Sequence, residues 1–470
     1  MNQPAAKFSA AEILAVTGGT VINNVELDGV FSVATDNRAD CSGAVFIAIK
    51  GEFFDPHDNL GKATANNAAA LLIEKRAAER VDKSWRIPVI AVDSTLHAYW
   101  ALAKFHRLRF KDLKVAALTG SVGKTSVKEM TRAICAAACA APEIEVLATV
   151  GNTNNHFGVP ANLLRLTPRH RYAVIELGTS SPGEIAPLAA MTAPNAAAVN
   201  TIAACHLEKL GSLDGVAEEK GSIFSALPPD GTAVFPARCH GTAILRKHAG
   251  NLKTLRFGEN GDVTGRYLGG SLAGSSIELI WRDGEKCHID WSLSGPHQAA
   301  NAGCAAALAA ALGIDRPTIA RGLAAAALPG MRMLVREFNG ASWVIDAYNA
   351  NPESMAAALD WLGEFTPPEK FLAVLGDMRE LGGFELEGHL NVLKKMTEKF
   401  PHSAAVLVGG HMAEAAAQLP PELKTTWRIF KTAEDAQTTV AEMAKPGFTV
   451  LIKASRGTAL EKTLPAEVAK

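Results

Sequence analysis

Val115-Ala116-Ala117-Leu118-Thr119-Gly120-Ser121-Val122-Gly123-Lys124-Thr125-Ser126 is the stretch on which the reading of this chain turns. An apolar run enters a glycine turn that ends in Lys-Thr-Ser and opens a helix. Such a turn grips the phosphates of a nucleoside triphosphate. Glycines let backbone N–H groups face inward, the lysine adds a mobile cation, the threonine hydroxyl can hold Mg²⁺, and the helix N-terminus contributes its positive end. Gly120, Ser121, Val122, Gly123, Lys124, Thr125 and Ser126 are therefore the candidate nucleotide-binding residues. Leu118 stands where the commonest form of the pattern has its first glycine. The bland alternative is a tight strand-to-helix turn with a solvated lysine.

Working outward, 470 residues exceed one ordinary core and predict several domains. Lys and Arg number 47 against 48 Asp and Glu, a formal net charge of -1, which argues against nucleic acid or a polybasic membrane anchor as partner. Met1 to Lys7 lacks the apolar core of a signal peptide, and charge and proline interrupt the later Ala-rich runs before they could span a bilayer. A soluble, cytoplasmic protein with small-molecule partners and no membrane span is expected, as a monomer. The seven cysteines are odd in number and never form Cys-x-x-Cys, so buried free thiols are expected; Cys135 and Cys139 fall on one face of a predicted helix.

The pattern predicts an α/β protein in three parts. Residues 1–113 open with Ser9-Ala10-Ala11-Glu12, a capping box, and continue with strands at 45–49, 70–73 and 89–92 and a helix over 94–110 capped by Ser94. The charged stretch Arg107 to Asp112 reads as a linker. Residues 114–328 carry the phosphate loop and near-continuous apolar strands at 172–177 and 196–201, as expected of parallel strands covered on both faces. Between those strands Ser181-Pro182-Gly183-Glu184 joins a capping box to a proline at the first helical position. Alternation within 256–293 predicts a small antiparallel insertion, and an Ala-rich helix follows over 298–312. Residues 329–470 alternate strands at 343–346, 371–375, 404–408 and 449–453 with helices, a Rossmann-like doubly wound sheet whose ligands should sit at the carboxyl ends of strands.

Glu176 ends an apolar strand, where a carboxylate that orients Mg²⁺ is needed; strand-end acids are also commonly just solvated. His206 follows the 196–201 strand and reads equally as a surface histidine. Nothing in its spacing marks Lys220, one more lysine in Ala217-Glu218-Glu219-Lys220-Gly221. Asn351 and Pro352 are a helix cap and first turn, which leaves Tyr348 and Asn349 unexplained.

Several motifs in order resemble the Mur ligases: Thr119 to Ser126, Gly151 to Pro160, Glu176-Leu177-Gly178, His206-Leu207-Glu208, Asp346 to Pro352, Leu375-Gly376-Asp377-Met378-Arg379-Glu380-Leu381-Gly382 and Lys453-Ala454-Ser455-Arg456. The resemblance spans nearly the whole chain. Tyr348 to Pro352 and Leu375 to Gly382 are similar to the branch that adds a dipeptide rather than a single amino acid. The family implies an N-terminal domain for the UDP end of the substrate, a central ATP domain, and a C-terminal domain that closes over both.

It also implies an ATP-dependent ligation of UDP-N-acetylmuramoyl-tripeptide with D-alanyl-D-alanine through an acyl phosphate. By that resemblance Lys124, Lys220 and His206 are catalytic, and Thr125, Glu176, His206 and Lys220 serve two Mg²⁺ ions, Lys220 as a carbamate. Asn301, Arg332 and Asp346 join the phosphate loop in holding ATP. Asp36, Asn37, Arg38, Asn154, Asn155, Tyr348 and Asn349 face the substrates. Asn37, Val122, Ala347 and Ala454 depart from the family's usual residues. A folate- or cyanophycin-type ligase, and a nucleotide-gated binding protein without ligation, are the competing readings.

Overall fold

The computed structural model describes residues 6–469. Three sheets follow one another along the chain. The first has the strand order Phe8–Ser9, Val30–Ala34, Ala44–Ile47, Ala70–Glu74, Val89–Val92, Thr20–Val21. The second has nine strands, in the order Lys286–Trp291, Gly274–Trp281, Val263–Ser271, Lys253–Phe257, Thr232–Pro236, Ala196–Val199, Lys114–Thr119, Tyr172–Glu176, Val146–Ala148. The third has the order Leu334–Phe338, Ala341–Asp346, Thr449–Lys453, Phe371–Gly376, Ala404–Val408, Trp427–Phe430. The α/β class with three sheet regions matches the sequence expectation.

In the second sheet the inner strands are parallel and buried on both faces, which is why 115–118 and 172–175 read as unbroken apolar runs. The register pairs Leu118 with Glu176 and Thr119 with Val199, so three strand ends finish at one level. The predicted insertion is antiparallel as expected, but it is an extension of this sheet: Val263 pairs with Phe257, and the next two strands add outward. In the third sheet Thr449–Lys453 lies between Ala341–Asp346 and Phe371–Gly376, pairing Asp346 and Leu375 with Lys453. The Thr449–Lys453 strand leads into 3-10 turns and a short terminal helix, not a long one.

The Ser9 capping box forms with both bonds, and Ser94 caps Thr95–Leu108. One local expectation is corrected. Ser181 does not cap a helix beginning at Pro182; the helix is Ile185–Thr192. Its free N–H groups at Gly183, Glu184 and Ile185 donate instead to the buried Glu219 carboxylate, at 2.6, 3.0 and 2.8 Å. A carboxylate at a helix N-terminus meets both the orphan donors and the dipole, which makes a local cap unnecessary.

Arg107 to Asp112 joins the first two sheets, with Leu108, Arg109, Lys111 and Asp112 exposed but its start tied down. Arg107 is buried, and its guanidinium donates to the carbonyls of Thr192, Ala193 and Phe110 at 3.1, 3.0 and 3.0 Å. Arg109 stacks over Phe8 and Phe105 and pairs with Glu12 at 2.8 Å. The joint between the first two sheets is thus packed, and one continuous apolar core runs from Phe8 and Leu102 into Val115 and Ala197. The buried residues of the two C-terminal cores all lie beyond residue 340.

All seven cysteines are free thiols; Cys41, Cys135 and Cys304 are buried, whereas the other four are partly exposed. Cys139 lies beyond the end of the helix Lys124–Ala137, so it shares no helical face with Cys135. Among the described residues no helix is long and apolar enough to cross a membrane.

Candidate active site

The loop after Lys114–Thr119 is shaped by its neighbours. Gly123 has φ +78°, and a Cβ there would lie 2.5 Å from Asn301 Oδ1, so both backbone sterics and packing demand glycine. Asn200 donates to Val122 O at 2.9 Å and to Asn301 Oδ1 at 3.0 Å, while Asn301 donates to Gln298 Oε1 at 3.0 Å. Asn301 therefore braces the loop, and Asn200, which carries no sequence signal of its own, shares that work. Ser121 Oγ is fixed by Ala203, donating to its carbonyl and accepting from its N–H, both at 3.0 Å. Lys124 Nζ folds onto Gly120 O at 2.7 Å at the start of a 14-residue helix.

Glu176 is buried at its strand end. It accepts from Thr125 Oγ1 at 3.0 Å and from Asn154 Nδ2 at 2.8 Å. Asn155 accepts the N–H groups of Phe157 and Gly158 where the chain enters the helix Gly158–Leu163. His206 has a left-handed backbone, φ +52°, and its Nδ1 lies 2.7 Å from Oε2 of Glu380, a residue of the third sheet's loops. The His206 ring holds the Glu380 carboxyl below its ordinary range. Glu380 stands within the stretch Leu375 to Gly382, where nothing in the sequence marks this contact.

From the third sheet, Lys453 Nζ pairs with Asp346 and donates to Asn349 O at 3.2 Å. Arg332 lies over the Tyr348 ring, 3.8 Å from its centroid. His297 comes from the start of the Ala-rich helix; its Nδ1 is buried without a partner, and burial takes the imidazole down to about 4.

These groups meet in one cavity of about 1410 Å³. It is lined by Ser121 to Ser126, Asn154, Asn155, Glu176, His206 and Asn301 from the central part and by Arg332, Asp346, Tyr348 and Asn349 from the C-terminal part. Leu96 and Trp100, one helical turn apart in the N-terminal part, join them. Gly120, Lys220, Asp36, Asn37 and Arg38 do not line it. Lys220 is 1% exposed, and burial together with the nearby Lys124 charge lowers its pKa to about 8. Asp36 and Arg38 pair with each other at the surface, which brings Asp36 to about 2, and Asn37 is buried with its Nδ2 unpartnered.

The donor set suits a magnesium nucleotide. A carboxylate and a hydroxyl in contact, beside a lysine and a glycine turn, are hard oxygen ligands that Mg²⁺ completes with phosphate and water. Among the described residues no group of three or more His, Cys, Asp or Glu converges as an all-protein metal cage. The fold and the cavity define a nucleotide-using enzyme whose phosphate loop faces a second, dinucleotide-type sheet.

Comparison with known proteins agrees. The Mur ligase middle domain matches residues 118–309, and the Mur ligase, glutamate ligase domain matches 331–456. UDP-N-acetylmuramoyl-tripeptide--D-alanyl-D-alanine ligase of Escherichia coli is 37% identical, over 95% of this chain and 96% of the relative. The ligase of that name from Bacillus subtilis is 32% identical, over 97% of each. The solved structure of MurF from Acinetobacter baumannii covers 99% of both chains with a TM-score of 0.89 at 30% identity. MurF ligase from Thermotoga maritima, solved in complex with ADP, gives 0.79 at 26%, covering 92% of this chain and 96% of its own. The chain belongs to the Mur ligase family.

Proposed function

We propose that this chain joins D-alanyl-D-alanine to UDP-N-acetylmuramoyl-tripeptide with ATP, releasing ADP and phosphate, in peptidoglycan precursor synthesis. The observation that carries the reading is the single cavity in which the phosphate loop faces Asp346, Tyr348 and Asn349 of the dipeptide-type motif. The full-length relatives at 32–37% identity support the substrates.

In this reading the tripeptide's terminal carboxylate attacks the γ-phosphorus, ADP leaves, and the dipeptide amine displaces phosphate from the acyl phosphate, losing a proton. Both steps bring anions together, so the residues act by charge and alignment. Lys124 turns from Gly120 O to the β- and γ-phosphates, and the N–H groups that open its helix cradle the same oxygens. Thr125 and Glu176 would hold Mg²⁺, with His206 and Lys220 at a second ion; the metal supplies neutralisation of the phosphate charge. A buried lysine with a pKa near 8 has a neutral fraction able to add CO₂ and release a proton, becoming the carbamate anion. Asn301, Arg332 and Asp346 complete the nucleotide site. Asp36, Asn37, Arg38, Asn154 and Asn155 meet the UDP-peptide, Tyr348 and Asn349 the acceptor side. The three parts, taken as 1–113, 114–328 and 329–470, act as one cytoplasmic monomer.

ADP release should require both UDP-tripeptide and dipeptide, with oxygen from the carboxylate appearing in released phosphate. ATP turnover independent of the dipeptide would overturn the reading. Folylpolyglutamate synthase from Mycobacterium tuberculosis, at 18% identity and a TM-score of 0.61, shares the fold alone. Assaying the lysine- and diaminopimelate-containing tripeptides side by side fixes the third residue.

A further inference from the structure

The third sheet brings to the cavity a cation that the proposed chemistry has not used. Arg379 follows the strand Phe371–Gly376, and Gly457 follows Thr449–Lys453, the neighbouring strand. After Phe371–Gly376 the chain moves to Ala404–Val408 and Trp427–Phe430 on one side, whereas Thr449–Lys453 returns on the other. Loops leaving two such strands bracket the crevice in which open α/β sheets bind ligands.

Arg379 is held there from both ends. Its backbone N–H donates to Ser455 Oγ at 3.0 Å, and Ser455 in turn donates to Ala350 O at 3.2 Å. Its guanidinium donates from Nη2 to Gly457 O at 3.1 Å. Gly457 has no side chain where Arg379 lies: a Cβ would come 2.6 Å from Arg379 Nε. The glycine is a seat for the guanidinium.

Neighbouring charged groups of the C-terminal part have partners of their own. Lys453 is paired with Asp346, Arg456 with Glu461, and Glu380 with His206, while Arg332 lies on Tyr348. Arg379 lines the cavity and makes no ion pair among the described residues; one carbonyl engages one of its five N–H donors. A planar fork so held matches a carboxylate bidentately.

We propose that Arg379 binds the C-terminal carboxylate of the acceptor dipeptide, and so sets the requirement for a free acid at that end. The proposal rests on the function proposed above. Arg379 is exposed at the edge of the cavity, so a carboxylate reaching it stays partly in water, and the fixed planar fork rather than desolvation gives the preference for an acid. The amine, at the other end of the dipeptide, is then left to face the acyl phosphate.

The test is steady-state kinetics with D-alanyl-D-alanine and with its C-terminal amide, on the wild type and on Arg379→Met, Arg379→Lys and Gly457→Ala. The wild type should prefer the acid over the amide by roughly tenfold to a hundredfold, the range of a hydrogen-bonded charge. Arg379→Met should raise KM for the dipeptide by about that factor and erase the preference, leaving KM for ATP and UDP-tripeptide within about twofold. Arg379→Lys and Gly457→Ala should fall between. An unchanged acid preference in Arg379→Met, or a KM rise confined to ATP, overturns the inference and leaves the ligase reading standing. Should Arg379→Met fail to fold, the Lys variant and the wild-type preference decide, and a wild type indifferent to the amide sinks the idea. No wild-type turnover of the dipeptide removes the function first and the inference with it.

Discussion

The two walls of the cavity are built by different rules. The phosphate loop turns on its sequence neighbours: Gly123, Lys124 and Thr125 are consecutive and the loop's lysine bonds a carbonyl four residues away, although Glu176, Asn200 and Ala203 brace it from 51 to 82 residues off. The C-terminal wall is assembled from afar, with Lys453 bonded to Asp346 across 107 residues and Ser455 to Ala350 across 105. A wall made by backbone geometry loses chemistry when a side chain is cut, whereas one made by buried pairing loses its fold.

Lys124→Ala tests the first half of that contrast. Its ammonium touches only loop carbonyls, so kcat/KM for ADP release should fall by about a thousandfold, as for loss of a transition-state charge donor. Its melting temperature should stay near that of the wild type. An equal loss of stability would break the contrast.

Asp346→Asn tests the second half. Lys453 is 1% exposed, and removing its partner leaves a buried charge uncompensated, at a cost of about 3 kcal/mol in unfolding free energy. Lys453→Met should cost less, because the Asp346 side chain is 16% exposed and water can reach it. Urea unfolding of the two variants measures the difference, and the reverse order would refute the assignment of burial.

His297 sharpens the comparison through pH. Burial lowers its pKa to about 4, against about 6.5 for an unfolded histidine. Between those values the unfolded chain binds more protons than the folded one, so stability falls as pH drops from about 6.5 to 4. His297→Gln should flatten the melting-temperature profile in that window. A profile parallel to the wild type would count against a buried neutral ring.

The smallest effect is at a local feature of the C-terminal wall. Asn351 caps the helix Pro352–Leu362 by accepting from Ser354 N at 2.8 Å. Asn351→Ala should cost about 1 kcal/mol, read from the same urea curves.

What was legible in the sequence follows the same division. The Ser9 capping box and the Asn351 cap need partners within four residues, and both form; the phosphate loop announces itself by its own glycine and lysine spacing, although its braces are distant. The apolar runs at 115–118, 172–175 and 371–375 announced central strands because both faces are covered. Thr232–Pro236 went unread; it ends in proline, which argues against a strand. The helix cap supplied by Glu219 lies 34 to 36 residues from its donors, and Arg107 reaches carbonyls 85 residues away, so neither contact has a local signature. Lys220 differs from any surface lysine only by burial, which composition does not encode. The contact of His206 with Glu380 joins two sheets and has no local signature at all.

The apolar core that runs unbroken from the first sheet into the second has a mechanical consequence. Those two parts are welded, since separating them would expose buried leucine, valine and phenylalanine to water. The C-terminal part meets them through polar touches such as His206 with Glu380 and Tyr267 with Glu364, which water can replace with little loss, and through Leu272 packed against its core. The chain passes from these two welded sheets to the third through Gly330 and Met333, both with left-handed backbones.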